Sequence, residues 1–310
     1  MKTGCLIVSE SASAFAEEIS RTADIPAETC SSVRETLEKN MGQPIVLGDP
    51  DMVAAVLPEL PAVEWVQSTW AGITPLTAIK HRDFILTGVK EVFGPQMAEY
   101  VLGYLLAHEL KVLERKEQQE LRHWFDRPSG VLQGKRLGVM GTGSIGAHIA
   151  RTARAFGLDV SGLSLSGSSS ADFDEVRPVT ELHAFLESID HLVAVLPDTS
   201  ATDNLLDATA LAKLPPRACF INVGRSNVVD DDALIEALQH GNLAGATLDV
   251  FDEEPLPASS PLWDAPNLLI TAHMAAISHP SLIAPIFIEN YRRYSNNEPL
   301  KYVVNLERGY

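Results

Sequence analysis

The strongest constraint on the fold of this 310-residue chain is a short glycine-rich segment. Gly141-Thr142-Gly143-Ser144-Ile145-Gly146 has the pattern Gly-x-Gly-x-x-Gly, follows an apolar run and opens a helical stretch that ends at Gly157. The glycines permit a tight turn and a close approach of the backbone to a pyrophosphate, while the helix N-terminus offers unpaired N–H groups to the anion. In this strand-to-helix context the pattern predicts a dinucleotide-binding turn; outside it the pattern is weak.

Apolar runs that resemble strands alternate with helical stretches along most of the chain. One long amphipathic helix is predicted over Met97–Val112, and Asp230-Asp231-Asp232 favours a helix start before Ala233–Leu238 because acids suit the positive end of the helix dipole. The predicted strands are Leu6–Val8, Ile45–Leu47, Trp65–Gln67, Ile85–Leu86, Leu137–Met140, Val160–Leu163, Leu192–Leu196, Cys219–Val223, Ala246–Val250 and Leu268–Thr271. This alternation predicts an α/β fold with a doubly wound parallel sheet.

Charge and cysteine content exclude several classes of protein. Lys and Arg number 24 against 41 Asp and Glu, a net charge of −17, which repels nucleic acid and anionic membranes. No apolar run is long enough for a membrane span, and the N-terminus is expected to be a first strand rather than a secretory signal. Cys5, Cys30 and Cys219 are widely spaced and form no Cys-x-x-Cys, so we expect a cytoplasmic protein with neither a disulfide nor a metal site.

The end of the strand after the glycine turn bears on the choice of cofactor. Sites that prefer NAD usually place an acid about 20 residues on, where it binds the ribose 2′-hydroxyl. In this chain Ser164, Leu165 and Ser166 occupy that region, so no carboxylate repels a 2′-phosphate and no arginine binds one. The segment favours NADP(H) and leaves NAD(H) possible.

Several further segments occur in an order and spacing that resemble the D-isomer-specific 2-hydroxyacid dehydrogenase family. They are Met97-Ala98-Glu99-Tyr100, Leu196-Pro197-Asp198-Thr199, Ile221-Asn222-Val223-Gly224-Arg225, Leu248-Asp249-Val250-Phe251, Glu254-Pro255-Leu256 and Thr271-Ala272-His273. With Glu99-Tyr100-Val101, the closing stretch from Glu298-Pro299-Leu300 to Tyr310 looks most like the glyoxylate/hydroxypyruvate reductase branch. The resemblance covers essentially the whole chain.

The resemblance implies a divided architecture. A Rossmann-type domain over 97–278 would be inserted into a flavodoxin-like α/β substrate domain made of 1–96 and 279–310, with the active site in the cleft. It also implies a homodimer to which the helix near Met97–Val112 contributes. The implied reaction transfers a hydride from NAD(P)H to a small 2-keto acid and gives a D-2-hydroxy acid.

Two residues at predicted strand ends suit that reaction. Arg225 follows an apolar strand at the sheet edge where open α/β folds bind ligands, and a guanidinium there can pair bidentately with a carboxylate. Without the resemblance, the competing interpretation is a surface arginine in a loop. His273 matches the family's proton donor, and an imidazole can donate and accept a proton near neutral pH. His279 is the nearest competing histidine.

A loop carboxylate is expected to assist the histidine. Asp252-Glu253-Glu254-Pro255 alone is typical of a solvated acidic loop, but the resemblance pairs Glu254 with His273, where a carboxylate orients the ring and keeps it protonated. Asp252 and Glu253 are interpreted as surface charge. Asp249 resembles the family aspartate near the nicotinamide carboxamide.

The remaining expected contacts also come from the resemblance. Backbone N–H groups of Ala71, Gly72 and Ile73 would bind the substrate carboxylate, and Gly72 suits a close backbone approach. Trp70 is either a pocket residue or a core tryptophan. The cofactor contacts expected beyond the glycine turn and Asp249 are Ser164, Leu165, Ser166, Leu196, Pro197, Thr202, Asn222, Val223 and Gly224.

Two other functions compete with the reductase. Formate dehydrogenase shares the fold, but it typically has glutamine where this chain has Glu254. A dinucleotide-sensing regulatory protein of the same fold does not need Arg225, Glu254 and His273 together. The chain departs from the family at Leu165, where NADP-dependent members often have arginine, and at Met274-Ala275-Ala276, where many have glycines.

Overall fold

The computed structural model describes residues 3–39, 42–80 and 83–306. The chain divides into two compact units, one of Met1–Phe93 with Ser278–Tyr310 and the other of Gly94–Ile277. The domain boundaries expected from the sequence, 96/97 and 278/279, lie three residues and one residue further along the chain. Residues 307–310 of the closing stretch lie outside the described residues.

Strands and α-helices alternate through both units. In chain order they are β1 (Cys5–Val8), α1 (Ala12–Thr22), β2 (Ala27–Cys30), α2 (Val33–Lys39), β3 (Ile45–Gly48), α3 (Pro50–Val56), β4 (Trp65–Ser68), α4 (Thr74–Ala78), β5 (Ile85–Thr87), α5 (Gly94–Glu109), α6 (Val112–Glu120), β6 (Arg136–Met140), α7 (Ser144–Ala155), β7 (Asp159–Ser164), β8 (Glu175–Pro178), α8 (Leu182–Glu187), β9 (His191–Ala194), α9 (Ala208–Leu211), β10 (Cys219–Asn222), α10 (Asp231–Gln239), β11 (Gly245–Leu248), β12 (Leu268–Ile270) and α11 (Pro280–Ser295).

The first unit is built on a five-stranded parallel sheet in the order β2-β1-β3-β4-β5. This is the flavodoxin-like order, as predicted. Strands β1, β3 and β4 are buried along their whole length, as parallel strands covered on both faces are. The C-terminal helix α11 belongs to this core, because the ring of Phe287 stacks on Trp65 with 5.4 Å between centroids.

The second unit is built on a seven-stranded parallel sheet in the order β12-β11-β10-β9-β6-β7-β8. Counted from β6, this is the Rossmann order with a seventh strand added, which confirms the predicted doubly wound sheet. The strand order reverses between β6 and β9. Ligands of such sheets bind beyond the carboxyl ends of the strands at this reversal.

Two strands were not predicted from the sequence. β2 and β8 each lie at the edge of a sheet and are only partly buried. An edge strand has one neighbour and less surface to cover, so it needs no continuous apolar run. The sequences Ala-Glu-Thr-Cys and Glu-Val-Arg-Pro therefore lack the pattern on which the prediction depended.

The prediction of one continuous helix over Met97–Val112 was wrong. Helix α5 ends at Glu109, and Lys111 has a left-handed backbone with φ of 54° before α6 begins. The break is stable because Arg115 donates from Nε to the carbonyl oxygen of Leu110 at 2.8 Å, which satisfies an acceptor at the helix end. Across the described ranges, no helix is both long and apolar enough to cross a membrane.

Candidate active site

The glycine turn has the geometry that a bound pyrophosphate requires. Gly141 has φ of 105°, and a Cβ at Gly146 would lie 1.9 Å from the carbonyl oxygen of Gly141, so both positions require glycine. Gly143 caps helix α7 without a side chain, and a Cβ built there would meet no atom within 4 Å. The turn therefore leaves open space in front of unpaired N–H groups, with Ser144 and Ile145 in the first turn of the helix. The residues fit a dinucleotide.

The end of β7 presents hydroxyl groups rather than charges. Ser164 Oγ accepts a hydrogen bond from the Gly167 N–H at 3.1 Å, and Ser166 Oγ lies 2.7 Å from Ser168 Oγ. Leu165 is 73% exposed. Because no carboxylate stands at 164–166, nothing at these positions repels a 2′-phosphate, and the hydroxyls can contact one.

The loop after β9 is held by Thr202. Its Oγ1 lies 2.8 Å from the carbonyl oxygens of both Pro197 and Thr199, and its side chain is buried. The same loop packs against β10, because a Cβ at Gly224 would lie 2.7 Å from the backbone nitrogen of Leu196. Thr202 thus shapes the predicted cofactor loop, and its hydroxyl is already bonded within that loop.

The buried Asn222 side chain fixes the turn that carries Arg225. Its Oδ1 accepts from the Gly224 N–H at 3.1 Å, and its Nδ2 donates to the carbonyl oxygen of Arg225 at 2.9 Å. Val223 is buried beside it. The Asn222 side chain is therefore already bonded within the turn, and the expected contact of Asn222 with the cofactor stays a prediction.

Arg225 offers positive charge at the carboxyl end of β10. Its Nη1 donates to the carbonyl oxygen of Gly224 at 2.5 Å, and among the described residues it forms no ion pair with a carboxylate. Burial lowers the pKa of the guanidinium, while the negative charges of Asp198 and Glu254 act in the opposite direction. A half-buried guanidinium without an ion-pair partner suits an anionic ligand.

His273 and Glu254 form the most distinctive contact of the site. His273 Nδ1 lies 2.8 Å from Glu254 Oε2, and the second oxygen of Glu254 accepts from the Phe251 N–H at 2.9 Å. The side chain of His273 is 49% exposed. Because Nδ1 donates to the carboxylate, Nε2 is the ring atom left to exchange a proton with a ligand.

Asp249 is bonded within the chain rather than free. It is 1% exposed, and its carboxylate accepts from Thr271 Oγ1 at 2.5 Å and from the N–H groups of Met274 and Ala275 at 2.9 and 2.8 Å. The expected bond to a nicotinamide carboxamide stays a prediction. No role was predicted for Thr271 from the sequence. The signal that could have indicated one is a hydroxyl residue two positions before His273.

The four residues predicted to meet the substrate lie in the first unit, in the turn between β4 and α4. Trp70 is 37% exposed and is therefore not a core tryptophan, a role that Trp65 fills. Within the described part of the chain, the N–H groups of Ala71, Gly72 and Ile73 donate to no acceptor. They are thus available to an anion, and their role stays a prediction. The second unit brings together Arg225, Glu254, His273 and the glycine turn.

Comparison with known proteins identifies the family to which the chain belongs. The family model for the NAD binding domain of D-isomer specific 2-hydroxyacid dehydrogenases matches residues 102–275. A glyoxylate/hydroxypyruvate reductase A from Klebsiella pneumoniae strain 342 is 32% identical over 217 residues, which are 70% of each chain.

Solved structures of similar proteins match nearly the whole chain. A D-isomer specific 2-hydroxyacid dehydrogenase family protein from Aeromonas salmonicida has a TM-score of 0.93 and 36% identity over 98% of this chain and 100% of that one. The NADPH-dependent glyoxylate/hydroxypyruvate reductase from Sinorhizobium meliloti, solved with NADP and sulfate, has a TM-score of 0.88 and 27% identity over 99% and 100%. The chain therefore belongs to the D-isomer specific 2-hydroxyacid dehydrogenase family of NAD(P)-dependent oxidoreductases.

Proposed function

We propose that this protein reduces a small 2-keto acid of the glyoxylate or hydroxypyruvate kind to a D-2-hydroxy acid, with NADPH as the preferred cofactor. The observation that carries the proposal is the 2.8 Å contact between His273 and Glu254 in the unit that also holds the glycine turn. An imidazole paired with a carboxylate is suited to deliver a proton to a developing alkoxide. The relative from Klebsiella pneumoniae, named for reduction of glyoxylate and hydroxypyruvate, supports the substrate class.

Each group has a separate role in the proposed reaction. A reduced nicotinamide cofactor held at the glycine turn would supply the hydride for C2 of the keto acid. Arg225 binds the substrate carboxylate and polarises the keto oxygen, because its guanidinium has no carboxylate partner of its own among the described residues. His273 donates the proton from Nε2, and Glu254 stabilises the imidazolium before transfer and holds the ring in one orientation.

The substrate carboxylate is also assigned to the first unit. We infer that the N–H groups of Ala71, Gly72 and Ile73 bind it, with Trp70 lining the pocket. Three donors without acceptors among the described residues support this role, because backbone N–H groups in a turn form anion-binding concavities. On this proposal the first unit is the substrate domain and the second the dinucleotide domain.

The preference for NADPH rests on the end of β7. Ser164 and Ser166 place hydroxyls where an acid would exclude a 2′-phosphate. The relative from Sinorhizobium meliloti is NADPH-dependent and was solved with NADP, which supports the same choice in this protein. NADH remains a usable cofactor, since no arginine at 164–166 selects for the phosphate.

We also propose a cytoplasmic homodimer. The segment 110–131 exposes several large apolar side chains, including Trp124, which is 87% exposed, and Leu121, which is 73% exposed. Arg115 holds this segment in shape, donating to the carbonyl oxygens of Phe125 at 3.2 Å and Arg127 at 2.8 Å. An ordered apolar surface of this kind is typical of an interface. The three free, buried cysteines support a reducing compartment.

The alternative is a sensor that binds the dinucleotide without turnover. Such a protein requires the glycine turn but not the His273–Glu254 pair or Arg225. The presence of all three favours an enzyme.

The test is a nicotinamide absorbance assay with the purified chain. NADPH and then NADH are offered with glyoxylate, hydroxypyruvate, pyruvate and bulkier 2-keto acids. Oxidation of NADPH with the smaller acids is expected. Tight dinucleotide binding without turnover of any acid would favour the sensor instead.

A further inference from the structure

A chain of hydrogen bonds connects helix α5 with the loop that carries His273. Tyr100 Oη lies 2.6 Å from Thr271 Oγ1, and Thr271 Oγ1 lies 2.5 Å from Asp249 Oδ1. Tyr100 is 171 residues from Thr271 in sequence, so the contact is made by the fold and not by local structure. All three residues lie in the second unit.

The chemistry of the three groups fixes which atom donates in each bond. The buried carboxylate of Asp249 is acceptor-only when ionised, and Thr271 has a single hydroxyl proton to give it. The other acceptor near that hydroxyl, the carbonyl oxygen of Leu248, is 3.5 Å away and thus too far for a good bond. Tyr100 must therefore donate to Thr271. Burial raises the pKa of the Tyr100 phenol, so the phenol carries its proton at neutral pH.

Asp249 depends on hydrogen bonds for its stability as an anion. It is 1% exposed and has no cationic partner in the described part of the chain, and its three donors are Thr271 Oγ1 and the N–H groups of Met274 and Ala275. A buried charge that loses a donor is strongly destabilised unless its surroundings rearrange. A weakened bond from Thr271 is thus expected to disturb the loop that wraps around the carboxylate.

That loop sets the position of the imidazole. His273 has a left-handed backbone with φ of 52°, which is unfavourable for a residue other than glycine, and its N–H donates to the carbonyl oxygen of Asp249 at 2.8 Å. The residues on both sides of His273 are therefore bonded to Asp249, while Glu254 holds the ring itself. The strained backbone persists because Asp249 anchors it.

We propose that Tyr100 is a positioning residue for His273, acting through Thr271 and Asp249. The proposal rests on the proposed function, in which His273 is the proton donor. Tyr100 donates to Thr271, Thr271 keeps its proton on Asp249, and Asp249 holds the loop so that Nδ1 of His273 meets Glu254. The phenol hydroxyl makes no contact with substrate in this scheme; its effect is on the geometry of proton transfer.

The neighbouring Tyr104 provides a matched control. It lies one turn further along α5, and its ring centroid is 4.5 Å from that of Tyr100. Tyr104 takes no part in the hydrogen-bond chain to Asp249 as far as the described residues show. Tyr104→Phe removes a hydroxyl from the neighbouring ring without changing the hydrogen-bond chain. An effect seen only in Tyr100→Phe is therefore assigned to the hydrogen bond of Tyr100 and not to packing of the two rings.

Four variants test the inference: Tyr100→Phe, Tyr104→Phe, Thr271→Val and Thr271→Ser. Tyr100→Phe and Thr271→Val should lower kcat by about 3- to 10-fold, the effect of losing one hydrogen bond, with KM for glyoxylate unchanged. Thr271→Ser keeps the hydroxyl and should retain the wild-type kcat, as should Tyr104→Phe. The Thr271 pair gives a second test if Tyr100→Phe folds poorly.

The ring signals of His273 in ¹H–¹⁵N spectra, assigned by their loss in His273→Asn, give a readout that does not require turnover. They should move or broaden in Tyr100→Phe and Thr271→Val but not in the two control variants. Unchanged kcat and unchanged signals in Tyr100→Phe would overturn the inference while leaving the function intact, and so would a rise in KM alone. An inactive wild type whose His273 signals still respond to Tyr100→Phe would refute the function and leave the positioning role standing.

Discussion

Nδ1 of His273 lies 2.8 Å from Oε2 of Glu254, although the two residues are 19 positions apart in sequence. The other carboxylate oxygen accepts from the Phe251 N–H, so Glu254 is held at both oxygens. A carboxylate fixed in this way restricts both the orientation and the tautomer of the imidazole. The proposed proton transfer depends on this pair. Substitutions of His273 and of Glu254 test the two members separately.

Replacement of His273 by alanine should lower kcat for keto-acid reduction by about 100-fold or more, because the general acid is lost. NADPH binding, measured by fluorescence or calorimetry, should be unchanged, since the glycine turn is untouched. His279→Ala is the control, because His279 belongs to the other unit and occupies the N-cap position of helix α11 without a side-chain capping bond. Equal activity of His273→Ala and His279→Ala would refute the role of His273.

Replacement of Glu254 by glutamine should lower kcat by about 10- to 100-fold. The amide keeps the size of the side chain and an acceptor for the Phe251 N–H, but it removes the negative charge that stabilises the imidazolium. Glu253→Gln, which makes the same change one residue earlier on an exposed side chain, should have no effect. The comparison is made by steady-state kinetics with NADPH and glyoxylate at one pH. A loss of activity in both variants would indicate a general effect of loop charge instead.

Replacement of Ser164 by aspartate should shift the cofactor preference towards NADH. The new carboxylate would repel the 2′-phosphate of NADPH and accept a hydrogen bond from the 2′-hydroxyl of NADH. We expect the ratio of kcat/KM for NADPH to that for NADH to fall by about 10-fold or more. Ser169→Asp adds the same charge further along the exposed loop and should leave the ratio near that of the wild type. A constant ratio in Ser164→Asp would show that the end of β7 does not select the cofactor.

Sequence patterns predicted the central strands well and their ends less well. The runs ending at Leu196, Val223, Val250 and Thr271 each extend one or two residues beyond the observed strands. Apolar character continues past the last ladder pair because these residues pack under the loops at the carboxyl ends: Val223 and Val250 are both buried. The hydrophobic periodicity of the sequence therefore detects burial, whereas the hydrogen-bonded pairing of the strands stops one or two residues earlier.

The parts that sequence reasoning missed depend on distant contacts. Nothing near Tyr100 in sequence indicates its bond to Thr271, and nothing near Asp249 indicates that its carboxylate is enclosed by Met274 and Ala275. The break at Lys111 differs from these, because it is fixed by a local contact of Arg115, four residues further on. By contrast, His273, Glu254 and the glycine turn lie in short motifs whose spacing could be compared with a family.

Acid should destabilise the protein through Glu109, whose side chain is 6% exposed. Its Oε1 lies 2.5 Å from Lys135 Nζ and 3.0 Å from His191 Nε2. Burial would raise the pKa of Glu109, but the contacts with His191 and Lys135 outweigh it and lower the pKa from 4.5 to about 2. Because the folded-state pKa is the lower one, this stabilisation is present above the unfolded pKa and is lost as pH falls towards about 2.

The ionised form of Glu109 therefore contributes to the free energy of unfolding at neutral pH, because its pKa is lower in the folded than in the unfolded chain. Glu109→Gln should therefore be less stable than the wild type at about pH 7, with the difference shrinking at about pH 3. Denaturant titrations at both pH values measure this. Glu99→Gln, an exposed position on the same helix, is the control. A difference between Glu109→Gln and wild type that did not change with pH would exclude the ionic explanation.

Replacement of Trp124 by alanine together with Leu121 by serine should weaken self-association. Both side chains are more than two-thirds exposed on a segment that Arg115 keeps ordered, so the apolar surface exists before any partner arrives. Burial of this surface against a second copy of the chain stabilises the dimer by about 25 cal/mol for each Å² of apolar surface removed from water. The wild type should sediment with twice the 33.6 kDa of one chain, and the double variant should shift towards a single chain. Leu37→Ser, at an exposed leucine on α2, should leave the mass unchanged. A double variant with the wild-type mass would show that the dimer forms elsewhere, and a wild type that sediments as one chain would refute the dimer itself.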